Sequence, residues 1–209
     1  MATKKTSAQP DAMTLQVATA RITLSTPLIF GKQIDQEAIP KQAKETHDSY
    51  EKRTWRERCH ANSDGHLFVP ARAFKKLLEN TARYRGDKIK GQGQKTWTAK
   101  FRAGVSVEGD MVLKPHILKD EVNGMWKSVP SNGQPGGATR VKRCFPIVDP
   151  GVGGEIRILL LDPFVQKEVV EEYLRFGGTV NGLGVWRPQN GGSFGRFTVD
   201  EITWDEISF

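Results

Sequence analysis

The sequence predicts an α+β protein with a ferredoxin-like βαββαβ core, inserted loops and extra strands. Three observations predict it. Apolar runs rich in β-branched residues, at residues 14–30, 101–107, 155–161 and 194–204, read as strands. Two amphipathic stretches, one after Pro70 and one after Asp162-Pro163, read as helices. With the polar insertions set aside, the order is strand, helix, strand, strand, helix, strand.

The first strand takes its apolar side from Leu15, Val17, Ala18, Ile22, Leu24, Leu28 and Ile29, and Pro27 marks its end or an edge. Residues 31–60 are polar and charged, with Tyr50 and Trp55 among them, and read as an insertion, either a surface helix or a loop that orders on binding. Asn62-Ser63-Asp64-Gly65 is a turn joining 55–60 to 66–69 in a small hairpin. Pro70 suits the start of a helix whose apolar face is Phe74, Leu77, Leu78 and Thr81, with Arg72, Lys75, Lys76 and Arg83 off that face. Gly86 stops it. Gly91 to Trp97 reads as a flexible basic loop, and 101–107 as a short strand. Residues 108–138 form a second, irregular insertion with room for further strands; Asn132 to Gly137 reads as an exposed loop. Residues 140–148 and 155–161 are strands separated by the turn at 150–154. The last helix starts at Asp162-Pro163, lines one face with Val165, Val169, Tyr173 and Phe176, and stops at Gly177. The final strand alternates Phe197, Val199, Ile202 and Trp204. The expected organisation is a disordered arm over residues 1–12 and a single domain over 13–209, with insertions at about 31–60 and 108–138.

The 209 residues suffice to bury a sizeable core. An apolar share of 37% and a mean hydropathy of −0.49 exclude a helical membrane protein, and no run of 18 apolar residues exists. Two distant cysteines, Cys59 and Cys144, and no apolar leader point to a reducing, cytoplasmic setting. The net charge is +7, and its distribution is informative. Residues 83–102 hold seven basic side chains (Arg83, Arg85, Lys88, Lys90, Lys95, Lys100, Arg102) against Asp87 alone, a net +6. Such concentration marks a polyanion site. Arg140, Lys142 and Arg143 add a smaller basic group.

Residues 177–199 hold seven of the 21 glycines, with Trp186, Phe194, Arg187 and Arg196 among them. Glycines this dense suit a loop with positive φ lying close to a partner. Arginines beside free amides favour an anion, and aromatics favour stacked bases. Trp97, Trp186 and Phe194 are the candidate stacking groups. A dinucleotide fingerprint would need a strand before the glycines and a helix after them, the reverse of this order. A P-loop would need Gly-Lys followed by Ser or Thr, which is absent.

The helix, the glycine loop and the terminal strand together resemble the RAMP superfamily of CRISPR-associated RNA-binding proteins. Gly182, Gly184, Gly191, Gly192 and Gly195 carry the resemblance, with Phe197 and Val199 opening the strand. The chain also resembles phage and prophage proteins over Glu45 to Asp48, Trp55 to Arg58, Gly91 to Gly104 and the glycine loop, which brings no activity with it. The RAMP resemblance implies an RRM-like core and a nucleic-acid partner more firmly than catalysis, since the family holds both guide-RNA-coating backbone subunits and endoribonucleases.

The acid–base inventory is thin. His47 lies among Lys44, Glu45, Asp48, Tyr50 and Arg53; some RAMP endoribonucleases use a histidine of this kind as general base on a 2′-hydroxyl. Cys59, His60, His66 and Cys144 match no usual zinc spacing, and no carboxylate pair suggests a two-metal centre. Neither metal nor cofactor is expected. The sequence therefore points to a non-catalytic protein that binds single-stranded RNA or DNA, multimerises along it and has CRISPR-like subunits as further partners. A metal-independent endoribonuclease using His47 and a phage structural or assembly protein are the alternatives.

Overall fold

The computed structural model describes residues 14–131 and 139–208. The expected arm at 1–12 and the loop at 132–137 lie outside the described residues. In chain order come β1 (Thr14–Leu24), β2 (Leu28–Ile29), α1 (His47–Thr54) running into a 3-10 turn (Trp55–Arg58), β3 (Phe68–Val69) and α2 (Ala71–Arg85). Then follow α3 (Trp97–Gly104), β4 (Val105–Glu108), β5 (Met111–Val112), β6 (Asn123–Pro130), β7 (Arg140–Val148), β8 (Gly153–Leu160), α4 (Lys167–Val180) and β9 (Phe197–Ser208). The described residues form an α+β fold of antiparallel sheets and four α-helices.

The main sheet has the order β4-β8-β1-β9, all antiparallel. β1 runs through its middle, from Thr14 opposite Ser208 to Leu24 opposite Phe197 on one side, and from Gln16 opposite Leu160 to Thr23 opposite Gly153 on the other. Asp200 is an extra residue between Glu201, opposite Arg21, and Val199, opposite Ile22. It makes a bulge that Thr23 Oγ1 fills by donating to Asp200 Oδ2 at 2.7 Å. The inner side of the sheet, Ala18, Ala20, Ile22, Leu24, Ile156, Ile158 and Leu160, joins the core under α2 and α4. A second sheet, β2-β7-β6, and a two-stranded β3-β5 pair complete the layers. α1 and the 3-10 turn pack on β7.

Several elements depart from the sequence expectation. The segment expected as a strand from 101 is helical as far as Gly104. An eight-residue helix is marginal alone, but Lys75 Nζ on α2 donates to the carbonyls of Phe101, Arg102 and Val105 at its C-terminus. That cap comes from outside the segment. Asp110 likewise caps α2, accepting the Ala71 amide at 2.8 Å. The irregular 108–138 insertion contains β5 and β6, and β6 pairs with β7 from Asn123 to Pro130. The first strand breaks at 25–27, and residues 55–58 of the expected hairpin form a 3-10 turn, so the pairing is shortened to His60–Asn62 against His66–Phe68 around the Ala61–Leu67 bridge. The final strand starts at Phe197 rather than Phe194.

The last helix has its N-cap at Gln166 rather than Asp162, four residues later than expected, and does not stop at Gly177. Asp162-Pro163 forms a separate turn, with Asp162 Oδ1 accepting the Phe164 amide. Each helical glycine costs about 1 kcal/mol against alanine, yet α4 continues because the bare backbone lets α2 come close. A Cβ at Gly177 would sit 2.5 Å from Thr81 Oγ1 and 2.6 Å from Leu77 Cδ2. The buried face is therefore Val170, Tyr173, Leu174, Gly177 and Gly178, shifted from the expected stripe.

Candidate nucleic-acid interface

The glycine loop leaves α4 at Asn181 and folds back on itself. Leu183 donates to the Gly195 carbonyl (2.8 Å) and Phe194 to that of Trp186 (3.2 Å). Val185 donates to Ile29 and Gly195 to Pro27, which fastens the loop to the β1–β2 connection. Several of its glycines are sterically required, and two positions are the tightest. A Cβ at Gly195 (φ +72°) would meet the Leu183 carbonyl oxygen at 1.9 Å, and one at Gly192 the Trp186 oxygen at 1.7 Å.

The amides expected to hold an anion are thus mostly used within the protein. Among the described residues, those of Gly184, Trp186, Arg187 and Ser193 are left without an acceptor. Trp186 takes a left-handed φ of +51°, strained for a bulky residue. It is half-buried, packed edge-on against Phe145 with centroids 4.7 Å apart, and Phe194 lies 6.5 Å from it.

What the loop builds is a groove. Its wall, with β2 and one side of α2, encloses a cavity of about 760 Å³. The floor is apolar: Leu28, Phe30, Val69, Leu77 and Leu183. Lys32, Arg72, Lys76 and Arg187 line it, and no carboxylate does. Gln189 Oε1 accepts from Asn80 Nδ2 (3.2 Å) and Arg187 Nε (3.3 Å), tying α2 to the loop. Arg187 also donates to the Gly184 carbonyl, which fixes its guanidinium. Lys76 shares Glu79 with Lys75 in an exposed pair worth little. His60 lines the same groove; burial holds its imidazole below the usual range, and the charges of Lys32 and Arg72 lower it further against the opposing pull of Asp110.

The sequence pointed elsewhere for most of the charge. Arg83, Lys88, Lys90, Lys95 and Arg102 are exposed, but Arg85 is held by Asp87 and Glu172 and lies over Tyr173 and Phe176. Lys100 pairs with Asp162 at 2.6 Å. Lys95, Lys100 and Arg102 line a different cavity, which shares no residue with the groove. Trp97 begins α3 rather than lying in a loop, and packs half-buried on the core, with Phe164 at 6.0 Å. Arg140 is bonded to Ser128, Lys142 is exposed, and Arg196 Nε donates to the Thr179 carbonyl. Of the predicted residues the groove gathers Gly182, Gly184 and Arg187. Lys32, His60, Arg72, Lys76, Asn80 and Gln189 were not among the expected nucleic-acid contacts. Arg72, Lys76 and Asn80 recur at i, i+4 off the apolar face of α2, a signal present in the sequence; Lys32 and His60 arrive only through folding.

A second cavity of about 480 Å³ adjoins the groove and shares Gly31, Gln33 and Val185 with it. His47, Lys41 and Arg143 line it. Its inner wall holds a buried ion pair: Arg58 Nη2 reaches both oxygens of Glu51, at 3.0 and 2.9 Å, and the Cys144 amide donates to Glu51 Oε1 at 2.9 Å. The outer side of the main sheet offers no stacking platform along β1, where Thr19 and Arg21 pair with Arg157, Thr203, Glu155 and Glu201. Among the described residues no three His, Cys, Asp or Glu side chains gather as a metal site. Burial pushes the thiols of Cys59 and Cys144 up to about 12 and about 11, so both are inert as nucleophiles. No described helix is long and apolar enough to cross a membrane.

No protein-family model and no curated protein matches the chain. Its fold is similar to that of a chain in the cryo-EM structure of the Type III-B Cmr-beta bound to cognate target RNA, with a TM-score of 0.51 at 16% identity. The match covers 91% of this chain and 60% of that one.

Proposed function

We propose that this protein binds single-stranded RNA, without cutting it, in the groove between α2 and the glycine loop. The observation that carries this is the groove itself: an apolar floor, four lining cations and no lining carboxylate. Phosphates pair with Lys32, Arg72, Lys76 and Arg187, and the floor takes bases or ribose. The order β1, α2, β4, β8, α4, β9 with its 4-8-1-9 sheet supports a ferredoxin-like, RAMP-type core within a single domain. The Cmr-beta likeness, to a structure bound to target RNA, supports RNA over DNA as the partner. The exposed Arg83–Arg102 cations and the β6–β7 ribbon, whose outer half is open to solvent, are free to meet the same strand or a neighbouring copy, so the protein multimerises along its ligand within a CRISPR-like complex.

The test is purification with and without nuclease, followed by sequencing of what co-purifies. RNA should copurify and rebind after stripping, with weaker retention of single-stranded DNA. A labelled hairpin RNA incubated with the protein in EDTA should be recovered whole. Light scattering with RNAs of increasing length should give mass rising by one protomer per fixed number of nucleotides. A preparation free of nucleic acid that also fails to bind added RNA would falsify the proposal and favour a structural or assembly role.

A further inference from the structure

We infer that the second cavity is a subsite for one nucleotide of the bound strand, with its phosphate on Lys41 and Arg143 and its base against Tyr50 and Phe145. This rests on the RNA-binding proposal and adds a place where a single base is held apart from its neighbours. The two cavities meet at Gly31, Gln33 and Val185. Gly31 is exposed and adds no side chain of its own at their boundary, where Val185 fills the space a Cβ would take, 2.4 Å from its Cγ1. Val185 packs on that side of Gly31, so a strand leaving the groove crosses a low boundary of Gly31, Gln33 and Val185 into the second cavity.

The chemistry of that cavity fits a nucleotide. Its volume of about 480 Å³ lies within the range of small-ligand pockets, about 300–1,000 Å³. Glu51, its one carboxylate, is fully engaged by Arg58 and the Cys144 amide, so it neither repels a phosphate nor remains free to take its place. Among the described residues Lys41 and Arg143 have no carboxylate partner; Arg143 donates only to the Ser131 carbonyl. Gln33 and Gln36 also line it, and an amide side chain offers both donor and acceptor to a base edge.

The experiment uses the full chain and the shortest RNA that one protomer binds at full affinity. A single abasic nucleotide is moved through that RNA. One position should stand out, with affinity falling about fivefold to hundredfold where the base is missing, and less at its neighbours. The variant Lys41→Gln/Arg143→Gln, checked for an unchanged melting temperature, should bind the intact RNA more weakly and lose that positional peak. RNA that binds with a flat abasic profile overturns the subsite and leaves the groove intact. So does a variant that weakens every RNA equally and keeps the peak, since the cations then act only as general surface charge. Failure of all RNAs to bind removes the parent proposal, and the subsite with it.

Discussion

Replacing Lys32 and Arg72 by glutamine tests whether the groove carries the nucleic acid. Both line it, both are exposed, and both lower His60 by their charge. A single strand that neutralises Z phosphates loses affinity with log salt at a slope of about −0.7Z. The groove's four cations therefore contribute about −2.8, and the double variant retains about −1.4. Between 50 and 200 mM salt this predicts that the groove's share of affinity falls about 50-fold in the wild type and about 7-fold in the variant. Filter binding of a labelled RNA across that range reads the slope, and circular dichroism with a thermal melt checks the fold. A matched control changes Lys88, Lys90 and Lys95, all exposed and none in the groove, to glutamine. Although it removes three charges, it should flatten the slope by less than the groove double. A folded Lys32→Gln/Arg72→Gln protein with the wild-type slope, or a control that flattens more than the double, would place the strand across the α2–α3 loop and refute the groove.

Arg58→Ala leaves Glu51 buried at 1% exposure without its cation and should cost about 3–5 kcal/mol in urea unfolding; Glu51→Gln/Arg58→Met should cost less, and a single-variant loss under about 1 kcal/mol would mean the pair is not desolvated. Gly195→Ala should lower stability well beyond Gly191→Ala, because both have positive φ but only Gly195 has a carbonyl oxygen where the Cβ must go, whereas the space around Gly191 is open; equal melting temperatures would sink this account of the loop. His60 has its folded-state pKa lowered, so the unfolded chain takes up the proton first and stability should decline as pH falls below about 6.5, the ordinary histidine value. Phosphates in the groove offset Lys32 and Arg72 and raise that pKa, so RNA affinity should rise from pH 8 to pH 6, and His60→Gln should flatten both trends.

Local pattern determined much of the molecule. Short apolar runs with imperfect alternation, or a stop such as Gly86, suffice to predict β1, β7, β8, β9 and α2, because each element buries a definite set of its side chains whatever it packs against. The glycine loop was legible for the same reason: no other residue suits so many left-handed or crowded positions in a row. The functional role of its amides was not, since an amide's partner lies elsewhere in the chain and here is mostly the loop itself. Charge density in sequence likewise does not report which cations stay unpaired. The Arg83–Arg102 run is dense in sequence, but folding brings Asp87, Glu172 and Asp162 to Arg85 and Lys100. Lys32, His60, Arg72 and Arg187 are scattered over more than 150 positions of sequence, yet they meet around one cavity. α3 and the continuation of α4 through Gly177 are tertiary decisions as well, set by the Lys75 ammonium and by the closeness of α2. Periodicity reports which face of an element is buried; which charges remain free, and which face one another, depends on distances that only the folded chain fixes.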